Sequence, residues 1–187
     1  PLMPSCTVVA TIHDLIHVHY KQERSLPKSL YYRLIQRPVI RRSPFTLTVS
    51  EFSRQQIIQW YGLAESSVVS IGNGISEAFM RIGVKHQRGR PYFMYVGNTK
   101  PHKNVSGLLD ALMRLTHAVD AELVMIVKED DWLKNEINSR SLAERITLLS
   151  GISDIQLATY YRGAVATVLP SHYEGFGLPL VESMACG

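Results

Sequence analysis

The segment "AVATVLPSHYEGFGLPLVESMACG" (residues 164–187) carries the pattern that decides the fold. Its first seven residues are apolar and β-branched, which predicts a strand buried inside a sheet. Gly175 and Gly177 mark a turn, and a helix is predicted over 179–186 because a proline suits the first helical position. A buried strand followed by a glycine turn and a helix is typical of parallel α/β sheets.

The same alternation runs along nearly the whole chain. Six more apolar runs predict strands, at 7–13, 45–50, 68–72, 92–97, 121–127 and 145–150. Helical patterns occupy 51–61, 104–117 and 153–162, the first of them bounded by Ser50 as the N-cap and Gly62 as the stop. The sequence therefore predicts an α/β, doubly wound architecture with mainly parallel strands.

The polar stretch "RIGVKHQRGRP" (81–91) interrupts the alternation and is interpreted as a linker. We place a boundary near residue 88, which gives two Rossmann-like domains at 1–88 and 89–187. The first has about three predicted strands, whereas a doubly wound domain usually has about six. Both domains are therefore expected to be incomplete in this chain, with Gly187 as a truncation point.

The composition indicates an ordinary globular protein. Of the 187 residues 45% are hydrophobic and 19% are charged, and the net charge of +4 is too small to argue for nucleic acid. Cys6 and Cys186 imply no disulfide framework and are expected to be small buried side chains. No apolar run reaches the ~18–20 residues of a membrane span, so a cytoplasmic location is expected.

The glycine turn has the chemistry of a phosphate and sugar site. Gly175 and Gly177 let a ligand approach the backbone, and the amides of 176–178 lie at a helix N-terminus, which suits a phosphate. Glu174 and Glu182 flank this turn, and a carboxylate can accept hydrogen bonds from both hydroxyls of a diol. The alternative is a helix-dipole glutamate with a solvated loop glutamate.

Lys103 follows strand 92–97 and Gly97, at a predicted helix start. A lysine and a helix dipole at that position would stabilise the negative charge of a departing diphosphate. The alternative is a solvated loop lysine.

Six segments, in this order, resemble one family: "IHDLIHVHY", "TVSEFSRQQI", "IGNGI", "YFMYVGNTKPHKNVSGLLDAL", "GISDIQLATYYRGAVATVLPS" and "YEGFGLPLVESMACG". The family is that of retaining GT-B glycosyltransferases, particularly glycosyltransferase family 4 (group 1), whose Glu-x7-Glu motif matches Glu174 and Glu182. The resemblance implies the GT-B fold of two Rossmann-like domains. Family members extend beyond both ends of the matching region, so the chain is expected to be an internal piece.

The resemblance also implies roles for individual residues. Glu182 would hold the ribose hydroxyls of a nucleotide, and Glu174 would contact the transferred sugar and stabilise charge at its anomeric carbon. The backbone amides of the turn would meet the diphosphate and the sugar, through Gly175, Phe176, Gly177 and Leu178. His13 would lie beside the donor sugar, as the second catalytic residue.

The second donor-binding segment departs from the family pattern. Gly97 and Lys103 match it, and Lys103 would neutralise the leaving diphosphate. Many family members have an arginine directly after the glycine, where this chain has Asn98. Either Lys100 or His102 supplies part of the missing charge, or the phosphate site is weaker.

The resemblance implies transfer of a hexose, with a mannosyl group as one candidate, from a nucleoside diphosphate sugar to a hydroxyl of a glycan or lipid-linked acceptor. No residue is an evident covalent nucleophile, so a front-face displacement with retention is expected. Alternatives are a GT-B epimerase or phosphorylase-like enzyme and a non-catalytic nucleotide-sugar-binding scaffold. The chain by itself is expected to have little or no turnover.

No metal or other cofactor is expected. The spacing of His13, His17 and His19 matches no recognised zinc pattern, and "KEDDW" (128–132) is interpreted as a helix start with Asp130 or Asp131 near its N-cap.

The stretch 21–42 carries seven basic residues and one acidic residue, Glu23. It is either a solvated face or a surface for an anionic bilayer or lipid-diphosphate acceptor, which would place the protein at the inner membrane face. Pro38 must kink or restart the helix predicted there. Nucleic acid is disfavoured, since no aromatic stacking pattern accompanies the charge.

Overall fold

The computed structural model describes residues 7–23, 25–115 and 120–187, and the chain divides into two compact units. The first unit comprises residues up to Gly74 together with Tyr173–Phe176. The second comprises Ile75–His172 and Gly177–Gly187. Each unit has its own parallel sheet, as the alternation of the sequence predicted.

The first unit contains a parallel sheet of short strands. Within the described residues its strands are β1 (Ala10–Ile12), β2 (Thr46–Thr48) and β3 (Val68–Ser70), in the order β1-β2-β3. Ala10 pairs with Thr46, and Thr46 pairs with Val68. Ile12, Ile57 and Tyr61 are among the side chains of its core. The three predicted strands are present, each shorter than its apolar run.

Four helices are described in the first unit: α1 (Ile16–His19), α2 (Leu26–Tyr31), α3 (Arg37–Arg42) and α4 (Glu51–Tyr61). A wide π-helical turn over Tyr32–Gln36 joins α2 to α3. Pro38 lies in the first turn of α3, where its missing N–H costs least. The α-helical pattern restarts at Arg37, next to Pro38, after this π-helical turn, while the backbone dihedrals stay helical on both sides of the junction.

The second unit contains the larger sheet. Its strands within the described residues are β4 (Tyr92–Val96), β5 (Glu122–Ile126), β6 (Ile146–Leu149) and β7 (Ala166–Thr167), all parallel in the order β6-β5-β4-β7. The chain moves outward from β4 to β6 and then returns to the other side of β4. The order therefore reverses between β4 and β7, and such a reversal opens a crevice at the carboxyl ends of the strands.

Helices cover both faces of this sheet. They are α5 (Val105–Arg114), α6 (Asp131–Ser139), α7 (Asp154–Gly163) and α8 (Leu178–Cys186). Tyr95 and Met125 pack with α5 and α6, whereas Met94 and Val124 pack with α7 and α8. Since neighbouring residues of a strand point to opposite faces, this division makes the unit doubly wound.

Most predicted element boundaries hold within a few residues. Helix α8 begins at Leu178, so Pro179 is its second residue and not the first. Asp130 is the N-cap of α6, as predicted, and accepts a hydrogen bond from the N–H of Leu133 at 2.8 Å. Cys186 is buried. Cys6, Arg24 and residues 116 and 117 of the predicted helix 104–117 lie outside the described residues.

The polar stretch 81–91 packs against α7 of the second unit. The N–H of His86 donates to the carbonyl of Thr159 at 2.9 Å, and Arg162 donates to the carbonyl of Val84 at 2.8 Å. The contacts divide the chain between Gly74 and Ile75. The assignment of domains at residue 88 stays a prediction. Of the helices in the described ranges, none has the length and hydropathy needed to cross a bilayer.

Candidate functional site

The turn after β4 is held tightly against its own strand. The hydroxyl of Tyr95 donates to the carbonyl of Asn98 at 2.6 Å. A Cβ atom on Gly97 would lie 2.8 Å from that hydroxyl oxygen. A larger residue at position 97 would have to displace the Tyr95 hydroxyl, so this close approach favours glycine, and Asn98 follows at the carboxyl end of the central strand.

The segments after β4 and β7 are tied to each other by backbone contacts. The N–H of His172 donates to the carbonyl of His102 at 2.8 Å, and the side-chain amide of Asn104 donates to the carbonyl of Pro170 at 3.1 Å. Asn104 has a φ of 54°, in the left-handed region, and directly precedes α5. Lys103 belongs to the 3-10 turn Pro101–Lys103 and is thereby placed beside the β4–β7 crevice.

The second wall of this crevice is the start of α8. Gly177 is the N-cap with a φ of 88°, a conformation that strongly favours glycine. No side chain caps this helix within the described part of the chain. Pro179 has no N–H, and the N–H of Leu180 donates to the carbonyl of Gly177 at 3.0 Å. The N–H of Leu178 remains as a first-turn group that a helix leaves without an internal partner. It is a donor of the kind that phosphate oxygens accept.

Glu182 lies one turn inside α8 and is partly buried. The hydroxyl of Tyr161, from α7, donates to its Oε2 atom at 2.8 Å. Burial raises the pKa of Glu182, the hydrogen bond from Tyr161 opposes this shift, and the nearby Asp154 adds to it. Burial and the Glu182 carboxylate both raise the pKa of Tyr161 above its usual range, so its hydroxyl stays a donor.

The loop that carries Glu174 packs with the first unit. The carbonyl of Gly175 accepts hydrogen bonds from Ser50 Oγ at 2.5 Å and from Ser53 Oγ at 3.2 Å. Ser53 Oγ also donates to the carbonyl of His13 at 3.1 Å. A Cβ atom on Gly175 would lie 2.8 Å from that carbonyl oxygen. The structure therefore brings the backbones of His13 and of the Glu174 loop together.

Tyr173 anchors the same loop from its other end. Its hydroxyl accepts a hydrogen bond from the N–H of Leu15 at 3.3 Å and donates to the side chain of Gln56. Its ring packs edge-on against Phe52, with centroids 5.5 Å apart. Tyr173 itself is buried, and burial raises its pKa to about 12. Glu174 is thus flanked by a buried aromatic anchor and a hydrogen-bonded glycine.

The predicted site residues fall into two groups, one in each unit. The first unit holds His13, Glu174, Gly175 and Phe176; the second holds Gly97, Asn98, Lys103, Gly177, Leu178 and Glu182. Sequence reasoning missed Tyr161, Ser53 and Tyr173. Ser53 did carry a signal, since it lies three residues after the predicted N-cap, where its N–H bonds to Ser50 Oγ at 3.1 Å.

His17, one of the three histidines considered as metal ligands, has a lysine and a glutamate as neighbours. His17 Nδ1 lies 3.2 Å from Lys28 Nζ and 3.7 Å from Glu23 Oε2. In the described ranges no group of three or more His, Cys, Asp or Glu side chains could hold a metal ion.

Comparison with known proteins assigns the chain to a family. Residues 77–187 match the model described as "Glycosyl transferases group 1", and residues 2–79 match "Glycosyltransferase Family 4". The chain is 31% identical, over 96% of its length, to the O-antigen chain mannosyltransferase B of Escherichia coli. It is 26% identical, over 99% of its length, to the O-antigen chain mannosyltransferase RfbU of Salmonella typhimurium. It spans 51% of each of these relatives.

Solved structures share the fold. The sucrose-phosphate synthase of Thermosynechococcus elongatus matches 96% of the chain with a TM-score of 0.77 and 21% identity, and 48% of that protein is covered. Anabaena HepE, in complex with UDP and glucose, matches 96% of the chain with a TM-score of 0.72 and 21% identity, and 51% of it is covered. The fold is that of GT-B glycosyltransferases, and the chain belongs to the group 1 glycosyltransferase family.

Proposed function

We propose that the protein transfers a hexosyl group, in the first instance mannosyl, from a nucleoside diphosphate sugar to a hydroxyl of a glycan or lipid-linked acceptor, with retention at the anomeric carbon. Membership of the group 1 family supports glycosyl transfer. Two relatives that match almost the whole chain are named as O-antigen mannosyltransferases, which supports mannose and a polysaccharide product.

The observation that carries the proposal is the crevice of the second unit. Helix α8 follows β7, on the side of β4 where the strand order reverses, and no side chain of the described residues caps its N-terminus. Glu182, partly buried, lies one turn along this helix. In open α/β sheets nucleotides bind at this point, with phosphate at a helix N-terminus and a carboxylate on the ribose hydroxyls. Glu182 would accept from the ribose, and the N–H of Leu178 would donate to the diphosphate.

Lys103 and the start of α8 would stabilise the departing nucleoside diphosphate. As the bond between the anomeric carbon and the phosphate oxygen breaks, that oxygen gains negative charge. The acceptor hydroxyl attacks from the same face and gives its proton to the leaving phosphate oxygen. Its own oxygen forms the new bond, which preserves the anomeric configuration. Glu174 and His13 would contact the sugar, and the shared hydrogen bonds of Ser53 support their backbone placement.

We further propose that transfer needs no metal ion, because Lys103 and the helix N-terminus supply the positive charge. Transfer should then proceed in EDTA at the rate measured without it. A loss of activity in EDTA that Mg²⁺ or Mn²⁺ restores would refute this part of the proposal.

For the acceptor we propose contact with an anionic bilayer through α2 and the π-helical turn Tyr32–Gln36, within the basic stretch 21–42. Leu26, Leu30 and Leu34 recur every four residues and are 87%, 58% and 64% exposed. Lys28 and Arg33 alternate with them in the sequence. An exposed apolar stripe bordered by basic residues is typical of helices that lie in the membrane interface, and a lipid-linked acceptor would be presented there.

Sedimentation with vesicles tests this contact. The full-length protein should bind phosphatidylglycerol vesicles more tightly than phosphatidylcholine vesicles, and Leu30→Glu should weaken that binding. Ile155→Glu, at an apolar position of α7 that is 71% exposed, is the matched control. Equal binding by Leu30→Glu and wild type would mean that the stripe packs against another part of the protein.

The donor site is tested by titrating the full-length protein with UDP, GDP, ADP and TDP, and by assaying transfer from the matching sugar nucleotides. We expect one nucleotide to bind and Glu182→Ala to weaken that binding strongly. Binding without transfer to any glycan or lipid acceptor would favour a scaffold. Turnover of donor without an acceptor alcohol would favour an epimerase or phosphorylase-like reaction.

A further inference from the structure

The side chain of Glu182 makes a single hydrogen bond among the described residues, and its donor is buried. Tyr161 is 4% exposed in the core between the sheet and α7, and its ring packs edge-on against Phe79 with centroids 5.8 Å apart. Its hydroxyl reaches Glu182 Oε2 at 2.8 Å. A donor fixed by a core ring therefore holds a carboxylate that belongs to a different helix.

This bond occupies one carboxylate oxygen of Glu182, Oε2, and leaves the other, Oε1, available to a ligand. Within the described residues, Glu182 Oε1 accepts no hydrogen bond. A carboxylate held at one oxygen loses most of its rotational freedom before a ligand arrives, so the ligand does not have to order it. The second oxygen then has a defined position for a hydroxyl donor.

We propose that Tyr161 is the positioning residue of the donor site, whose hydroxyl fixes Glu182 Oε2 so that Oε1 can accept from the ribose diol of the nucleotide. The inference rests on the proposed function, in which Glu182 binds that ribose. Tyr161 does not touch the nucleotide and acts through Glu182 alone.

The electrostatic surroundings give the proposal a second readout. Burial and Asp154 raise the pKa of Glu182, and the bond from Tyr161 lowers it. Cys186, one turn later in α8, is also near Glu182, and Arg162 lies beside Cys186. Without the Tyr161 hydroxyl the pKa of Glu182 should rise further. A protonated carboxyl accepts hydrogen bonds from a diol poorly. As the pH is lowered, the variant should therefore lose nucleotide binding at a higher pH than the wild type does.

The experiment compares Tyr161→Phe with Tyr160→Phe in the full-length protein. Tyr160 is the adjacent residue of α7, and its carbonyl oxygen accepts from the hydroxyl of Tyr92 and from the N–H of Ala164. Its own hydroxyl makes no hydrogen bond among the described residues, so it can be removed as a control. The nucleotide selected by the titration is the probe. We expect Tyr161→Phe to weaken binding about ten- to 150-fold, the range of one lost hydrogen bond to a charged group, and Tyr160→Phe to leave it unchanged. The midpoint of binding against pH should shift upward in Tyr161→Phe only.

A double-mutant cycle separates failure of this inference from failure of the proposed function. If Glu182→Ala leaves nucleotide binding intact, the proposed function is wrong and the inference falls with it. If Glu182→Ala abolishes strong binding but Tyr161→Phe binds like wild type, only the positioning role is wrong. An equal loss from Tyr161→Phe with and without Glu182 would show a packing effect and would also overturn the inference.

Should Tyr161→Phe fail to fold, 3-fluorotyrosine at position 161 provides the same test. It keeps the ring and the donor but makes the hydroxyl more acidic, so the carboxylate is stabilised. The pH midpoint of nucleotide binding should then move below that of wild type. An unchanged midpoint would overturn the proposal.

Discussion

Replacing Gly175 by alanine is the perturbation whose effect the structure specifies most closely. The added Cβ would lie 2.8 Å from the carbonyl oxygen of His13 and 3.0 Å from Cβ of Asp14. Neither neighbour is the end of a flexible side chain, so the backbone of the loop or of residue 13 has to move. Because the φ of Gly175 is not positive, the cost comes from this overlap and not from a forbidden backbone conformation.

The size of the effect follows from overpacking and from the hydrogen bonds that depend on the loop. Adding one carbon to a filled space costs about 1–3 kcal/mol. A shift of the loop would also lengthen the bonds from Ser50 and Ser53 to the Gly175 carbonyl, each worth about 0.5–1.5 kcal/mol. The loop can relieve this overlap by moving, but the movement would displace Glu174. We therefore expect a loss of about 1–3 kcal/mol, shared between stability and transition-state binding.

The assay is kcat/KM for hexosyl transfer together with the melting temperature of the full-length protein. Gly175→Ala should lower kcat/KM about two- to tenfold, the change expected when half of that loss falls on transition-state binding. Nucleotide affinity should change little, since the affected contacts concern His13 and the Glu174 loop. Gly89→Ala is the control, because its added Cβ would meet nothing within 4 Å. Gly175→Ala with the kcat/KM and the melting temperature of wild type would refute the reasoning.

Three further predictions concern the second unit. Asp130→Ala should lower the stability of this unit by about 1 kcal/mol at neutral pH, because the N-cap of α6 is lost. Asp131→Ala should not. Hydrogen bonds lower the pKa of Asp130, so the difference between the two variants in denaturant titrations should vanish as the pH falls through that lowered pKa. Glu182→Gln should raise the melting temperature at about pH 8 and lose this advantage at about pH 4, since a raised pKa makes the charged carboxylate unfavourable in the folded state only above its ordinary pKa. An advantage independent of pH would contradict this reasoning. Lys103→Met should reduce kcat for transfer about 10²–10³-fold with a small change in nucleoside affinity, as expected of a group that stabilises a leaving anion. An unchanged kcat would favour the alternative interpretation of Lys103 as a solvated loop lysine.

The fold was predictable where local signals mark both ends of an element. Helix α4 begins and ends where the sequence placed it, because Ser50 supplies an N-cap and Gly62 a left-handed stop with a φ of 66°. Strand β7 is much shorter than its apolar run, since it pairs with β4 alone, at the edge of the sheet within the described residues. Apolar composition marks burial, and burial extends beyond the paired residues of an edge strand.

The site was predictable only for residues that carry local patterns. The glycine turn, the two glutamates and Lys103 all stand beside strand ends or helix starts that the sequence marks. Tyr161 lies in the middle of α7, 21 residues from Glu182, and its role depends on how two helices pack on one sheet. Ser53 is 122 residues from Gly175. No periodicity or capping rule records contacts at such separations, so these supports had to come from the structure.

The two glutamates of the motif differ in what holds them, and this difference bears on their roles. Glu174 lies on a loop whose neighbours, Tyr173 and Gly175, are fixed by hydrogen bonds to the first unit. These contacts fix the backbone on both sides of Glu174. Glu182 lies on a helix and is fixed through its own carboxylate by Tyr161. A carboxylate with one oxygen already bonded would suit a ligand group that stays unchanged during the reaction, as the ribose of the proposed donor does.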